Sequence, residues 1–305
     1  MTRRVLVLMG GWSAEREVSL RSGAAAARAL REAGYAVETF DLGRDLSGLL
    51  SALSPAPDVV FNALHGRFGE DGRVQGVLDI LGIPYTHSGA LASSLAMDKP
   101  TARRLFAAEG IPVATGRVVG RAEMLAGDPL PRPYVVKPIN EGSSVGVRIV
   151  RAGDAGPAFE AADWPFGDAV LVEEYVPGRE ITVAVMGDRA LGALEITSDR
   201  GFYDYDAKYA PGGSRHIIPA PLPTADYAEA LRLALLAHST LGCRGVSRTD
   251  LRYDDTGPTP RLVVLEVNTQ PGLTETSLVP EIAAHAGISF VELVRWMVEN
   301  AQCDA

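Results

Sequence analysis

Hydrophobic and polar positions change their spacing twice along the chain. Short apolar runs at 5–9, near 37–42 and at 59–63 alternate with helical spacing, a pattern that predicts a parallel sheet crossed by helices. Ser13 stands where an N-cap belongs, ahead of a helix running to Ala33 with Gly34 as its stop, and a second helix over 74–81 ends at Gly82. From Met97 the character changes. A helix over 101–109 leads into a Pro- and Gly-rich passage through Pro133, then strand-like runs at 134–136, 145–150 and 170–175. Two alternating runs joined at Gly187-Asp188 predict an antiparallel hairpin. Residues 198–216 follow, nineteen positions with little periodicity, and loops of that length are usually functional lids or disorder. A helix over 225–241, strands at 246–253 and 262–267, and a helix over 290–300 complete the pattern. The predicted class is α/β at the start and α+β in the C-terminal two thirds, divided at 1–96, 97–180 and 181–305.

Composition narrows the function. The 305 residues carry 29 Lys plus Arg against 38 Asp plus Glu, a net charge of −9, so no broad basic face for nucleic acid is expected and any anion site must be local. The two cysteines, Cys243 in a helix-to-strand turn and Cys303 near the end, lack metal-ligand spacing and are expected as reduced thiols. Residues 5–9 are too short for the apolar core of a secretion signal, and no apolar stretch is long enough to span a bilayer; a cytoplasmic protein without a membrane partner is expected.

Lys137 closes an apolar run, and Gly142, Ser143 and Ser144 follow it at a hairpin tip. The order is the reverse of a P-loop. It suits a glycine-rich loop covering phosphates with a strand lysine beneath, as in protein kinases, or an ordinary flexible hairpin. Arg248 and Asp250 are two apart on one strand, as are Glu266 and Asn268 on the next. If those strands pair, an Asp, a Glu and an Asn converge beside an arginine and could hold Mg²⁺ on a nucleotide's phosphates; a solvated sheet face would look the same. Gly272, through its N–H, and Ser277, through its hydroxyl, are candidate anion donors. Glu173 and Glu180 flank a Pro-Gly turn, where carboxylates suit an adenine amino group and ribose hydroxyls, the backbone at Val176 suits the adenine edge, and surface carboxylates are also common. Glu15 sits at a helix N-terminus, His65 just past a strand end and Lys99 at a helix start; each has an ordinary structural explanation as well.

Taken in order, the stretches GGWSAEREVSL, LHGRFGEDG, MDKPTAR, VVKPINEGSSVGV, VEEYVPGREITVAV, FYDYDAKY, SRTDLRYD and LEVNTQPGLTETSLVP resemble the D-alanine–D-alanine ligases, which are ATP-grasp enzymes, over essentially the whole chain. The resemblance implies two sheet-containing parts that sandwich ATP. Lys99 and Lys137 would hold its phosphates beneath the tip at Gly142, Ser143 and Ser144. Glu173, with Glu174 beside it, would meet the adenine, Val176 the ring edge and Glu180 the ribose. Asp250, Glu266 and Asn268 would hold two Mg²⁺, with Mn²⁺ as a substitute. Glu15 would bind the ammonium of the first D-alanine and form, with Ser143 and Tyr209, the group that links lid to substrate. Lys208, also counted in the nucleotide set, and Ser277 would take the carboxylate of the second D-alanine. Arg248 and Gly272 would stabilise the oxyanion, with His65 near the substrates. A homodimer is implied as well. Tyr209 favours the dipeptide over the D-lactate depsipeptide, whose makers tend to carry phenylalanine there. His87 in YTHSG, where glycine is frequent, and Glu275-Thr276 are the departures. A different ATP-grasp carboxylate-amine ligase and a nucleotide-binding regulatory protein are the remaining alternatives.

Overall fold

The computed structural model describes residues 2–142, 146–155, 158–160, 164–197 and 214–304. Ser143, Ser144, Lys208, Tyr209 and most of the expected lid lie outside them.

The first sheet is parallel with order β2-β1-β3, formed by β1 (Arg4–Gly10), β2 (Ala36–Leu42) and β3 (Val59–Asn62). Every residue of β3 is buried, whereas β2, at the edge, stays largely open, as the apolar runs imply. Helix α1 (Arg16–Glu32) crosses from β1 to β2 and stops before Gly34, whose φ of +91° suits a residue without a side chain. Ser13 is not its cap. Its hydroxyl donates to the His65 carbonyl at 2.7 Å and accepts the Glu15 N–H at 3.2 Å, so Glu15 takes the N-cap position and the helix starts later. Three short helices follow: α2 (Leu46–Ala52), α3 (Arg73–Ile80) and α4 (Ala90–Met97). Helix α5 (Lys99–Ala108) starts two residues earlier than its spacing predicts, because Asp98 accepts the Thr101 N–H at 2.9 Å and Pro100 fits a first turn.

The second sheet is antiparallel, order β4-β7-β5-β6, with β4 (Gly116–Gly120), β5 (Tyr134–Lys137), β6 (Arg148–Val150) and β7 (Ala169–Glu174). β4 and helix α6 (Arg121–Ala126) both lie inside the passage that the sequence marks only as Pro- and Gly-rich. The third sheet, order β10-β9-β8-β11-β12, contains β8 (Arg179–Met186), β9 (Arg189–Thr197), β10 (Arg215–Ile217), β11 (Val246–Asp254) and β12 (Arg261–Asn268), all paired antiparallel. β10 corrects the expected end of the loop. Arg215 and His216 pair with Thr197 and Ile196, and His216 Nδ1 lies 2.7 Å from Glu281, so both belong to a strand rather than to a lid reaching 216.

Helices α7 (Thr224–Thr240), α8 (Leu278–His285) and α9 (Phe290–Glu299) complete the order, the last fixed by a Ser289/Glu292 capping box. One core joins β1 and α1 to α8 and α9; a second lies between the third sheet and helices α5 and α7; the second sheet keeps a core of its own around Tyr134 and Phe159. The first and third sheets therefore share packing, and the second sheet closes over the third.

Candidate active site

A cleft separates the second sheet from the third. β5 presents Lys137 to it, the end of β7 presents Glu173 and Glu174, the following turn Val176, and β8 Glu180. Opposite them stand Asp250 and Arg252 on β11, Glu266 on β12 and Lys99 at the start of α5. Eight of the residues singled out from the sequence thus line one cleft.

Cross-strand register builds the acidic ridge. β11 and β12 pair so that Asp250 stands opposite Glu266 and Arg248 opposite Asn268, which puts all four side chains on one face. Arg248 donates to both Asp250 oxygens at 2.8 Å, Thr182 donates to Oδ1 at 2.6 Å, and the Asn268 amide donates to Oδ2 at 3.1 Å. Lys99 Nζ lies 3.6 Å from Glu266 and donates to the Glu141 carbonyl at 2.5 Å. Two carboxylates and an amide oxygen suit a hard, oxygen-seeking cation that phosphate oxygens help to coordinate, so this donor set fits Mg²⁺ or Mn²⁺.

At the other end Glu173, only 3% exposed, is held between two cations. Lys137 Nζ is 2.6 Å from Oε2 and Arg103 Nε is 2.7 Å from Oε1. Arg252 lies opposite Glu180 and braces the turn before it: its guanidinium donates to the carbonyls of Val176 at 3.1 Å and Gly178 at 2.6 Å and lies 3.5 Å from the Glu180 carboxylate. Glu174 reaches Arg261 at 3.4 Å.

The third group gathers where α1 begins. Glu15 is buried, and a Cβ placed on Gly142 would come within 2.9 Å of its Oε2 and 3.6 Å of Glu70 Oε1. Glu70 accepts the Gly66 N–H at 2.5 Å, while its burial and the nearby Glu15 push its carboxyl up to about 8. His65 is 5% exposed, with Nδ1 3.1 Å from the Gln270 carbonyl and Nε2 3.1 Å from Ser22 Oγ. A carbonyl only accepts, so Nδ1 carries the proton, and burial lowers the imidazole to about 4. Its two bonds tie the loop after β12 to α1. Gly272 and Ser277 are neighbours in that loop: a Cβ on Gly272 would lie 3.2 Å from Ser277 Oγ, which accepts the Thr274 N–H at 3.0 Å. The departure at His87 has a backbone cause. It holds a φ of +70°, where glycine is at ease, yet its ring is buried edge-on to Phe61.

Several site residues escape the sequence reading. Arg252 follows from alternation along β11, two positions after Asp250, and Arg103 from helical spacing, one turn after Lys99. Glu70 lies inside a motif already singled out. Nothing local signals Thr182 or Gln270, which matter only through partners 68 and 205 residues away.

Known proteins resemble this chain along essentially its whole length. The family described as D-ala D-ala ligase C-terminus matches residues 105–299, and its N-terminal counterpart matches 47–88. The D-alanine–D-alanine ligase of Paramagnetospirillum magneticum is 69% identical over 308 residues, and that of Rhodospirillum rubrum 62% identical over 306, each covering 100% of both chains. Among solved structures, the Bacillus anthracis D-alanine–D-alanine ligase complexed with ATP has a TM-score of 0.80 at 29% identity, covering 98% of this chain and 97% of its own. The VanG D-Ala:D-Ser ligase of Enterococcus faecalis has a TM-score of 0.79 at 27% identity, covering 98% and 99%. With both family segments matched and full-length relatives this similar, the chain belongs to the D-alanine–D-alanine ligase family, whose ATP-grasp fold it shares.

Proposed function

We propose that the protein joins two D-alanines into D-alanyl-D-alanine at the expense of ATP, for peptidoglycan precursor synthesis. The observation that carries this is the acidic ridge of Asp250, Glu266 and Asn268 facing Lys99 and Lys137 across one cleft. Such an arrangement suits a polyphosphate with its metal. The ATP complex of the Bacillus anthracis relative supports the nucleotide.

A carboxylate is a poor acyl donor, and phosphorylation corrects that. The carboxylate oxygen of the first D-alanine attacks the γ-phosphorus of ATP, the bond to the bridging oxygen breaks and ADP leaves. Lys99 and Lys137 offset charge on the transferring group. Two Mg²⁺ held by Asp250, Glu266 and Asn268 would add neutralisation of the phosphates, with Mn²⁺ as a substitute. Glu15 binds the first ammonium and keeps that substrate in register. The neutral amine of the second D-alanine then attacks the acyl phosphate, Arg248 and the Gly272 N–H receive the oxyanion, and phosphate departs with the original carboxylate oxygen. Ser277 and Lys208 orient the second carboxylate. Glu173 accepts from the adenine amino group, with Glu174 beside it, Val176 meets the ring edge and Glu180 takes the ribose. Gly142, Ser143 and Ser144 close over the phosphates, and Tyr209 joins Ser143 and Glu15; a lid that excludes water protects the acyl phosphate. His65 serves the substrates indirectly, by fixing the loop that carries Gly272.

A homodimer in the cytoplasm completes the proposal. Exposed Leu46, Ile80 and Leu91 on α2, α3 and α4 leave apolar surface for a second copy, and no helix among the described residues is long and apolar enough to cross a membrane. Purified protein with Mg-ATP and D-alanine, with D-lactate in a parallel tube, tests the substrate choice by product mass. Dipeptide is expected, and a depsipeptide product would move the assignment to the D-lactate ligases.

A further inference from the structure

We infer that Arg103 is the positioning residue that lets Glu173 discriminate adenine, by staying on that carboxylate when Lys137 leaves it for the phosphates. The inference rests on the reading of Glu173 as the adenine contact.

Glu173 is 3% exposed and carries one cation on each oxygen: Lys137 on Oε2 at 2.6 Å and Arg103 on Oε1 at 2.7 Å. Both cations are themselves nearly covered, at 14% and 12% exposure. Their duties differ. Lys137 lines the cleft from the end of β5, a place that suits phosphate. Arg103 sits on α5, where its guanidinium also donates to the Ala114 carbonyl and is thereby anchored to the wall of the cleft. When nucleotide draws Lys137 toward its phosphates, Oε2 is freed as an acceptor, which an exocyclic amino group can fill. A buried carboxylate stripped of both cations would be left uncompensated and would not hold its place in the cleft. Arg103 prevents this by keeping one charge partner in place. The Arg103 Nε–H is not aligned on the carboxylate oxygen, so the contact is chiefly Coulombic.

Helix α5 places both ends of this device. Lys99 and Arg103 are four residues apart, about 6 Å along one helix face, with Lys99 on Glu266 at the metal ridge and Arg103 on Glu173 at the base. One rigid element therefore sets the distance between phosphate and base subsites.

The test compares ATP with inosine triphosphate, which lacks the amino group, at saturating D-alanine and Mg²⁺. Arg103→Ala is expected to lower kcat/KM for ATP roughly 10- to 100-fold and that for inosine triphosphate far less, collapsing the ratio between them. Arg103→Lys should restore part of the ratio and serves as the readout if the alanine variant does not fold. A general structural loss would depress both nucleotides alike. Glu173→Met, which keeps the length of the side chain but has no oxygen to accept from the amino group, separates the two layers. A ratio that collapses in Glu173→Met but stays at the native value in the Arg103 variants overturns the role of Arg103 alone. A ratio unchanged in Glu173→Met overturns the adenine contact and the inference with it.

Discussion

Arg248 grips Asp250 through two nitrogens, each 2.8 Å from a different carboxylate oxygen. The two residues have separate duties in the proposed reaction, one for the oxyanion and one for the metal, and before substrate arrives they hold each other in place. Arg248→Ala should lower kcat about 10²- to 10³-fold, the usual cost of an oxyanion donor. It should also lower the Mg²⁺ concentration that gives half of the residual activity, because a competing cation has been removed from Asp250. A Mg²⁺ titration of ADP release checks both, and a raised Mg²⁺ requirement would show that the pair does not compete.

Gly142 offers a test of Glu15. Its backbone is not left-handed, so alanine there adds only a methyl group, 2.9 Å from Glu15 Oε2. Gly142→Ala should raise KM for D-alanine severalfold, alongside a change in KM for ATP from its place in the phosphate-covering tip, and leave thermal stability close to native. An effect on ATP alone would mean that Glu15 is not the ammonium site.

The architecture was legible where periodicity was long, and the cleft where strands alternate. β1, β3, β8, β9, β11 and β12 all follow from apolar spacing, and the register that brings Asp250 to Glu266 needs only that β11 and β12 pair. Helix α4, Ala90–Met97, has small and apolar residues around its whole circumference and shows no stripe to read. β4 is five residues long and half exposed, too short to signal within a Pro- and Gly-rich passage. Ser13 has the right identity for a cap but is claimed by His65, 52 residues away, a competition no local rule detects. The same limit hid Thr182 and Gln270, whose roles come wholly from tertiary partners.

Three buried histidines set the acid limb of stability. Burial lowers His65, His87 and His238 to about 4, so the folded protein keeps them neutral while the unfolded chain protonates them near the usual 6.5. The unfolded state then binds more protons between those values, and stability falls as pH drops from about 6.5 toward 4. His238 lies away from the cleft, with Nδ1 2.7 Å from Ser247 Oγ. His238→Gln should make that fall shallower, in urea unfolding followed across the window; an unchanged slope would exclude its contribution.

Glu70 acts in the opposite sense. Burial and the neighbouring Glu15 raise its carboxyl to about 8, so the folded state holds a proton that the unfolded chain releases above about 4.5. Its contribution to stability is greatest below the unfolded value and is lost as pH rises toward 8. Glu70→Gln, which cannot ionise, should flatten that loss relative to the native protein. Parallel stability profiles for the two would show that Glu70 is ionised in the fold.

The central claim is that a D-alanine carboxylate is activated by phosphoryl transfer and then captured by a second D-alanine. D-alanine labelled with ¹⁸O in its carboxylate, turned over with Mg-ATP, tests it in one experiment. The account expects D-alanyl-D-alanine, one ADP for each dipeptide, and one labelled oxygen carried into each inorganic phosphate. Dipeptide with unlabelled phosphate would contradict the acyl-phosphate route, and ADP without dipeptide would contradict the ligase assignment itself.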